Sequence, residues 1–220
     1  GKYRLKGLFQ QDWTLPILDG AREHDAWQAT LGRRLDGLPR NACAVLEHVF
    51  LELFNNVIDH SESTVANLSL RHDAAWIELT IADEGVGIFS KIGAALGHSE
   101  PREAALELCK GKFTTAPDRH SGEGIFFSAR MLDRFRLDSG ALSLQAEQEG
   151  ERWSLKTDCS LVKGTRLTLS LASAATRSPR QIIDRYSGPD SGFCRTRVPL
   201  ALAVDAGGTL LARSQARAVL

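Results

Sequence analysis

The chain has 220 residues, 43% of them apolar and 25% charged, and its 27 Lys and Arg balance 27 Asp and Glu to a formal net charge of zero. Such a length carries one sizeable domain plus a fragment, or two small domains, and a composition this ordinary excludes disordered, collagen-like and membrane chains. Zero net charge leaves no global field to recruit nucleic acid or anionic lipid. No run reaches the roughly 18 apolar residues of a membrane span, and the opening Gly1-Lys2-Tyr3-Arg4 is not patterned as a signal peptide, so a cytoplasmic protein is expected. Cys43, Cys109, Cys159 and Cys194 form no C-x-x-C pair and are expected as reduced, buried thiols.

Residues 12–18 suggest a short edge strand, because Pro16 lacks a ladder donor. Trp27, Leu31 and Leu35 at four-residue steps predict a helix over 21–36, ended by Gly37-Leu38-Pro39. Asn41 is the expected N-cap of a longer helix reaching about His60, with Val45, Leu46, Val49, Phe50, Leu53, Val57 and Ile58 on its apolar face. Its other face carries Glu52, Asn56 and Asp59, with Asn55 and His48 beside them. Runs 65–71 and 76–82 read as a β-hairpin, Ile77, Leu79 and Ile81 alternating with polar residues. A short helix is expected over 102–110, a polar glycine-bounded loop over 111–122, and a helix over 124–135. Strands are expected over 141–145, 152–157 and 165–171, a linker from about Ser173, a short helix over 179–186, and strand-like runs over 194–204 and 210–211. Helices and strands without regular βαβ alternation predict an α+β two-layer sandwich, with helices on one face of a mixed, mostly antiparallel sheet.

Three segments carry chemistry. Glu52 and Asn56, one helical turn apart, point the same way. The acid can polarise a water and the amide can offer an oxygen to hydrated Mg²⁺, although a lone E-x-x-x-N is more often a solvated helix face. Asp83-Glu84-Gly85-Val86-Gly87 follows a strand directly. There the aspartate can accept from an exocyclic amine, and the glycines would let the backbone pass close to a flat ring or phosphate. Ser121-Gly122-Glu123-Gly124-Ile125 leads into a helix whose free N–H groups favour phosphate oxygens. Each G-x-G alone is as readily an ordinary tight turn. Gly164-Thr165 opens the last strand of the set.

In this order, and on these elements, the motifs resemble those of the GHKL superfamily, which includes gyrase, heat-shock ATPases, sensor histidine kinases and MutL. Over about residues 40–172 the chain looks most like the ATPase-like domain shared by histidine kinases and bacterial anti-sigma-factor kinases. The resemblance implies the Bergerat fold, with ATP held between helices and sheet under a lid over 89–121. It implies Asn56 as the Mg²⁺ ligand, Glu52 as the base, and Asp83 on the adenine amine with Thr165 nearby through water. It also implies Gly85 and Gly87 lining the base pocket and Gly122 and Gly124 cradling phosphates. Lys112 and Arg119 are the lid cations that could reach phosphate, and His120 lies beside them.

Residues 1–20 resemble the end of a winged helix-turn-helix, 21–172 the ATP-binding domain, 173–192 a linker, and 193–220 the start of a STAS-like domain, as in a chain cut at both ends. The implied function is an ATP- and Mg²⁺-dependent protein kinase or slow ATPase in bacterial signalling or transcription control. The other reading is a non-catalytic ATP-sensing switch. The implied partner is a protein or phosphoacceptor, with DNA contact only through an N-terminal module outside this chain, no membrane, and a homodimer as an option. The pattern departs from sensor kinases in lacking a phospho-accepting histidine before residue 40: His24 reads as a surface residue of a short helix, and His48 and His60 as supports of the polar stripe.

Overall fold

Phe9, Trp13 and Leu15 fall on the inward positions of the first described strand, β1 (Phe9–Pro16), whose side chains are half-buried and exposed in turn. The computed structural model describes residues 9–97, 100–110, 123–147, 150–157, 160–186 and 200–202. β1 starts earlier than expected and ends at Pro16; Leu18, two residues on, is 68% exposed.

The single helix expected over 21–36 is instead α1 (Glu23–Ala29) followed by a 3₁₀ turn (Leu31–Arg33). Thr30 breaks it, with φ −118° and ψ −88° and its hydroxyl donating back to the Ala26 carbonyl at 2.6 Å. Trp27, Leu31 and Leu35 are buried all the same, so the apolar spacing survives the break. α2 (Arg40–His60) follows Pro39, which takes the N-cap position expected for Asn41. The Asn41 amide instead donates to the Thr176 carbonyl, far along the chain. Val45, Leu46, Val49, Phe50, Leu53, Phe54 and Val57 of α2 are all buried. Phe50 stacks on Phe54 at 5.0 Å between ring centroids and meets Trp27 at 5.4 Å. Each such aromatic, fully buried, stabilises the fold by about 1.5–3 kcal/mol before entropy is counted.

β2 (Val65–His72) and β3 (Trp76–Asp83) form the expected hairpin. Its turn is closed by the Asp73 carboxylate, which accepts from the Ala75 and Trp76 N–H groups at 2.7 and 2.9 Å. α3 (Ile88–Leu96) and α4 (Pro101–Lys110) come next, then α5 (Gly124–Met131). The helix expected over 124–135 therefore stops at Met131. Phe135 belongs to a strand absent from the expectations, β4 (Arg134–Gly140), in which Phe135 and Leu137 are buried while Arg134 and Arg136 are exposed. β5 (Leu142–Glu147), β6 (Arg152–Lys156) and β7 (Val162–Ala172) complete the antiparallel set.

The strand order is β1-β2-β3-β7-β4-β5-β6-β8, where β8 (Leu200–Leu202) adds, among the described residues, the single parallel pairing, beside β6. The inward residues of the sheet, among them Leu68, Leu79, Phe135, Leu144, Trp153 and Leu169, share one core with α2, α4 and α5. The architecture is the expected α+β two-layer sandwich. Residues 173–186, within the span expected as a linker, pack onto this domain: Ala175 is buried and α6 (Pro179–Tyr186) buries Ile182. Among the described residues no helix is long and apolar enough to cross a membrane.

Candidate functional site

β3 ends at Asp83, which is 4% exposed, because the strand's inward face runs Ile77, Leu79, Ile81 and then the aspartate. The Gly85 N–H donates to its Oδ1 at 2.9 Å, and the Thr165 N–H also donates to the carboxylate. Burial pushes this carboxyl above the usual carboxylate range, further than the two N–H donors bring it down. Two N–H bonds use about half of the acceptor positions of a carboxylate, so a third donor, such as an exocyclic amine, can still be accepted.

The turn after Asp83 is tied to the end of α2. The Ser61 carbonyl accepts from the Val86 N–H at 2.9 Å, and the Ser63 hydroxyl receives the Glu84 N–H at 3.4 Å. A helix rises about 1.5 Å per residue, so Asn56 stands about 7 Å and Glu52 about 13 Å along α2 from this junction. Glu62, with φ +59°, turns the chain out of α2 and pairs with Lys91 of α3.

The glycines of this turn let other parts of the protein come close. A Cβ on Gly85 would overlap the Ser61 carbonyl, and a Cβ on Gly87 would stand 2.6 Å from Ser139 Oγ. Their lack of a side chain lets protein approach protein, which is the closeness that brings α2, β4 and β7 to one place. Gly164, at φ +68°, is tighter still, since a Cβ there would overlap the Asp83 carbonyl and reach within 2.7 Å of its Oδ1. Thr165 beside it accepts the Ile88 N–H on Oγ1 at 3.0 Å, so one threonine binds Asp83 through its N–H and the start of α3 through its hydroxyl.

Glu52 and Asn56 lie on the side of α2 that turns away from the apolar core, Glu52 exposed and Asn56 half-buried. The first residue of α5 sits against the acid: a Cβ on Gly124 would be 2.6 Å from Glu52 Oε2. A carboxylate thus faces the N-terminal, electropositive end of α5. The structure brings Glu52 to Gly124, and Asp83 to Gly85 and Thr165, while Gly87 packs against Ser139 and Gly164. Lys112, Gly122, Arg119 and His120 lie outside the described residues, as do Cys159 and Cys194.

The lid expected over 89–121 is helical through much of its length. Phe89 and Ile92 of α3 and Ala104, Ala105, Leu108 and Cys109 of α4 are buried in the common core. Amphipathic spacing at 102–110 marks the second of these helices in the sequence, but a lid reads as a loop, and the expected lid takes in the apolar residues 89–96. Sequence reasoning also missed Ser61 and Ser139. Ser61 acts through its main chain and leaves no side-chain signal, whereas Asp138-Ser139 interrupts the alternation of β4 with two consecutive buried residues. Cys109 is buried and its thiol is pushed up to about 12, and burial raises the Cys43 thiol as well, so both behave as small apolar residues. His24 is exposed on α1, as expected.

Among the described residues no group of three or more His, Cys, Asp and Glu is arranged to hold a metal ion. A divalent cation at Asn56 would rest on that one protein oxygen together with ligand oxygens and water, a donor set that suits Mg²⁺. A scan of protein-family models matches none to this chain, and a search of curated proteins likewise matches none.

Proposed function

We propose that the chain holds an ATP- and Mg²⁺-binding domain of the GHKL type, acting as a protein kinase of the anti-sigma-factor or histidine-kinase sort or as a slow ATPase. One observation carries the reading. Asp83 is a buried, desolvated carboxylate with spare acceptor capacity, set where the 84–87 turn, β7 and the start of α3 meet. Buried carboxylates with this environment concentrate at functional sites. Glu52 beside the N-terminus of α5 supports it from a second direction, as an acid poised where phosphoryl chemistry would need a base.

Bound Mg²⁺ supplies charge neutralisation on the phosphates. Asp83 accepts the adenine amine and fixes the base. Asn56 offers its side-chain oxygen to the metal. The N–H groups at the start of α5 hold phosphate oxygens without reorganisation, and Glu52 orients or deprotonates the attacking hydroxyl or water. A second reading, an ATP-sensing switch without turnover, is favoured by the anchoring of α5 at its far end. There Arg177 donates to the Met131 carbonyl at 2.7 Å and pairs with Asp133, a route by which ordering at Gly124 reaches α6. Glu52→Ala separates the two, since it abolishes turnover in a kinase and leaves a switch working.

The test is thermal melting of the wild type and of Asp83→Asn with MgATP, MgADP and MgGTP. A ligand that binds only the folded state stabilises it by RT ln(1 + [L]/Kd). The expected result is a rise with adenine nucleotides alone, lost in Asp83→Asn. No rise at millimolar ATP overturns the proposal.

A further inference from the structure

β4 and β7 run in regular antiparallel register from Arg134 opposite Ser170 to Asp138 opposite Arg166. The next pair is Gly140 opposite Val162, so Ser139 alone faces Lys163, Gly164 and Thr165. β7 is therefore bulged at this point, and bulges commonly re-aim side chains at functional sites. Gly164 falls outside the ladders on both sides, since β3 pairs with β7 only as far as Arg166. A buried carbonyl without a ladder partner needs a donor from elsewhere. Ser139 supplies it: its hydroxyl, on a residue 4% exposed, donates to the Gly164 carbonyl at 2.7 Å. The same oxygen occupies the space that a Cβ on Gly87 would need.

We propose that Ser139 is a positioning residue of the nucleotide site, holding the Gly164 bulge so that Thr165 can bind both Asp83 and the first turn of α3. The inference rests on the nucleotide reading of Asp83 for its functional meaning. The Ser139 hydroxyl is committed to the Gly164 carbonyl. It acts through Gly164, whose carbonyl it orients, and the following Thr165 then presents its N–H to Asp83 and its Oγ1 to Ile88. Without the hydroxyl, the Gly164 carbonyl is left buried and unpaired, and the bulge relaxes toward whatever conformation restores a donor. The Asp83 carboxylate then loses one of its two fixed N–H donors, and the turn at Gly87 loses the wall against which it packs.

The experiment compares wild type, Ser139→Ala and the nearly isosteric weak donor Ser139→Cys by amide hydrogen exchange on the full chain and by MgADP calorimetry. In Ser139→Ala the amides of Gly85, Ile88 and Thr165 are expected to exchange about tenfold faster, the change that loss of one buried hydrogen bond produces, while those of Leu79 and Leu169 keep their rates. MgADP affinity should fall about fivefold, with Ser139→Cys between the two on both readouts. Local amides at wild-type rates, acceleration spread evenly through the sheet, or Cys and Ala behaving alike would each overturn the proposal. If the wild type takes up no MgADP, the nucleotide reading fails, and the exchange arm still decides whether Ser139 positions the Asp83 turn.

Discussion

A Cβ on Gly124 would lie 2.6 Å from Oε2 of Glu52, so the first residue of α5 and the acid of α2 share one space. The crowded atom is the far end of a flexible side chain, which can swing aside. Gly124→Ala should consequently keep its stability, aided by the better helix propensity of alanine, and melt within about 2 °C of the wild type. Turnover should fall about 100-fold, because displacing a reacting group by about an ångström costs that much. A phosphate-release assay beside a thermal melt reads both, and unchanged turnover would remove Glu52 from the role of base.

At Gly164 the obstacle is backbone. A Cβ there overlaps the Asp83 carbonyl, and φ +68° is strained for any side chain. Gly164→Ala should cost about 3 kcal/mol or more in urea denaturation, against about 1 kcal/mol for alanine at an unobstructed left-handed position such as Gly37, where a Cβ meets nothing. Equal losses at the two positions would show that the close approach of β7 to Asp83 is not tight.

Asp83 binds its proton more tightly in the folded chain than at its ordinary pKa of 3.8. Its contribution to stability therefore falls as pH rises through the window above 3.8, and at neutral pH the ionised carboxylate opposes folding. Asp83→Asn keeps an oxygen for the Gly85 and Thr165 N–H groups and removes the charge. Without ligand it should be at least as stable as the wild type at pH 7, the difference closing below about pH 4. Melts between pH 3 and 8 check the sign, and a variant destabilised at pH 7 would mean that the charge is stabilising.

Arg130, 3% exposed, lies with its guanidinium 3.4 Å from the Phe126 ring centroid and 4.9 Å from that of Tyr186, whose hydroxyl donates to Glu151 at 3.0 Å. Burial lowers its pKa, the cost of holding a cation among rings. Arg130→Met fills most of the volume without the charge and should change stability by less than about 1.5 kcal/mol, whereas Arg130→Ala should cost about 3 kcal/mol by leaving a cavity under α6. Urea unfolding of both variants decides whether packing or charge holds α6 in place.

The α2 helix, the β2–β3 hairpin and the strands β5 to β7 were legible because each carries its own period, and the E-x-x-x-N and D-x-G-x-G residues could be placed on them directly. β4 was missed because Arg134–Leu137 follows a helix after only two residues, Leu132 and Asp133, and its short alternation was absorbed into the helical run. The break at Thr30 was likewise invisible, since burial of Trp27, Leu31 and Leu35 is compatible with a continuous helix or an interrupted one.

By itself the sequence determined the elements with a clear period, the sandwich class and the identity of the acids and glycines, since these follow from local spacing and side-chain chemistry. Only the tertiary structure decided which atoms meet: Ser61 with the 84–87 turn, Gly164 with Asp83, Gly124 with Glu52, and Ser139 with both glycine turns. Those contacts join residues far apart in the chain through main-chain carbonyls and missing Cβ atoms, and neither leaves a periodic trace in a sequence.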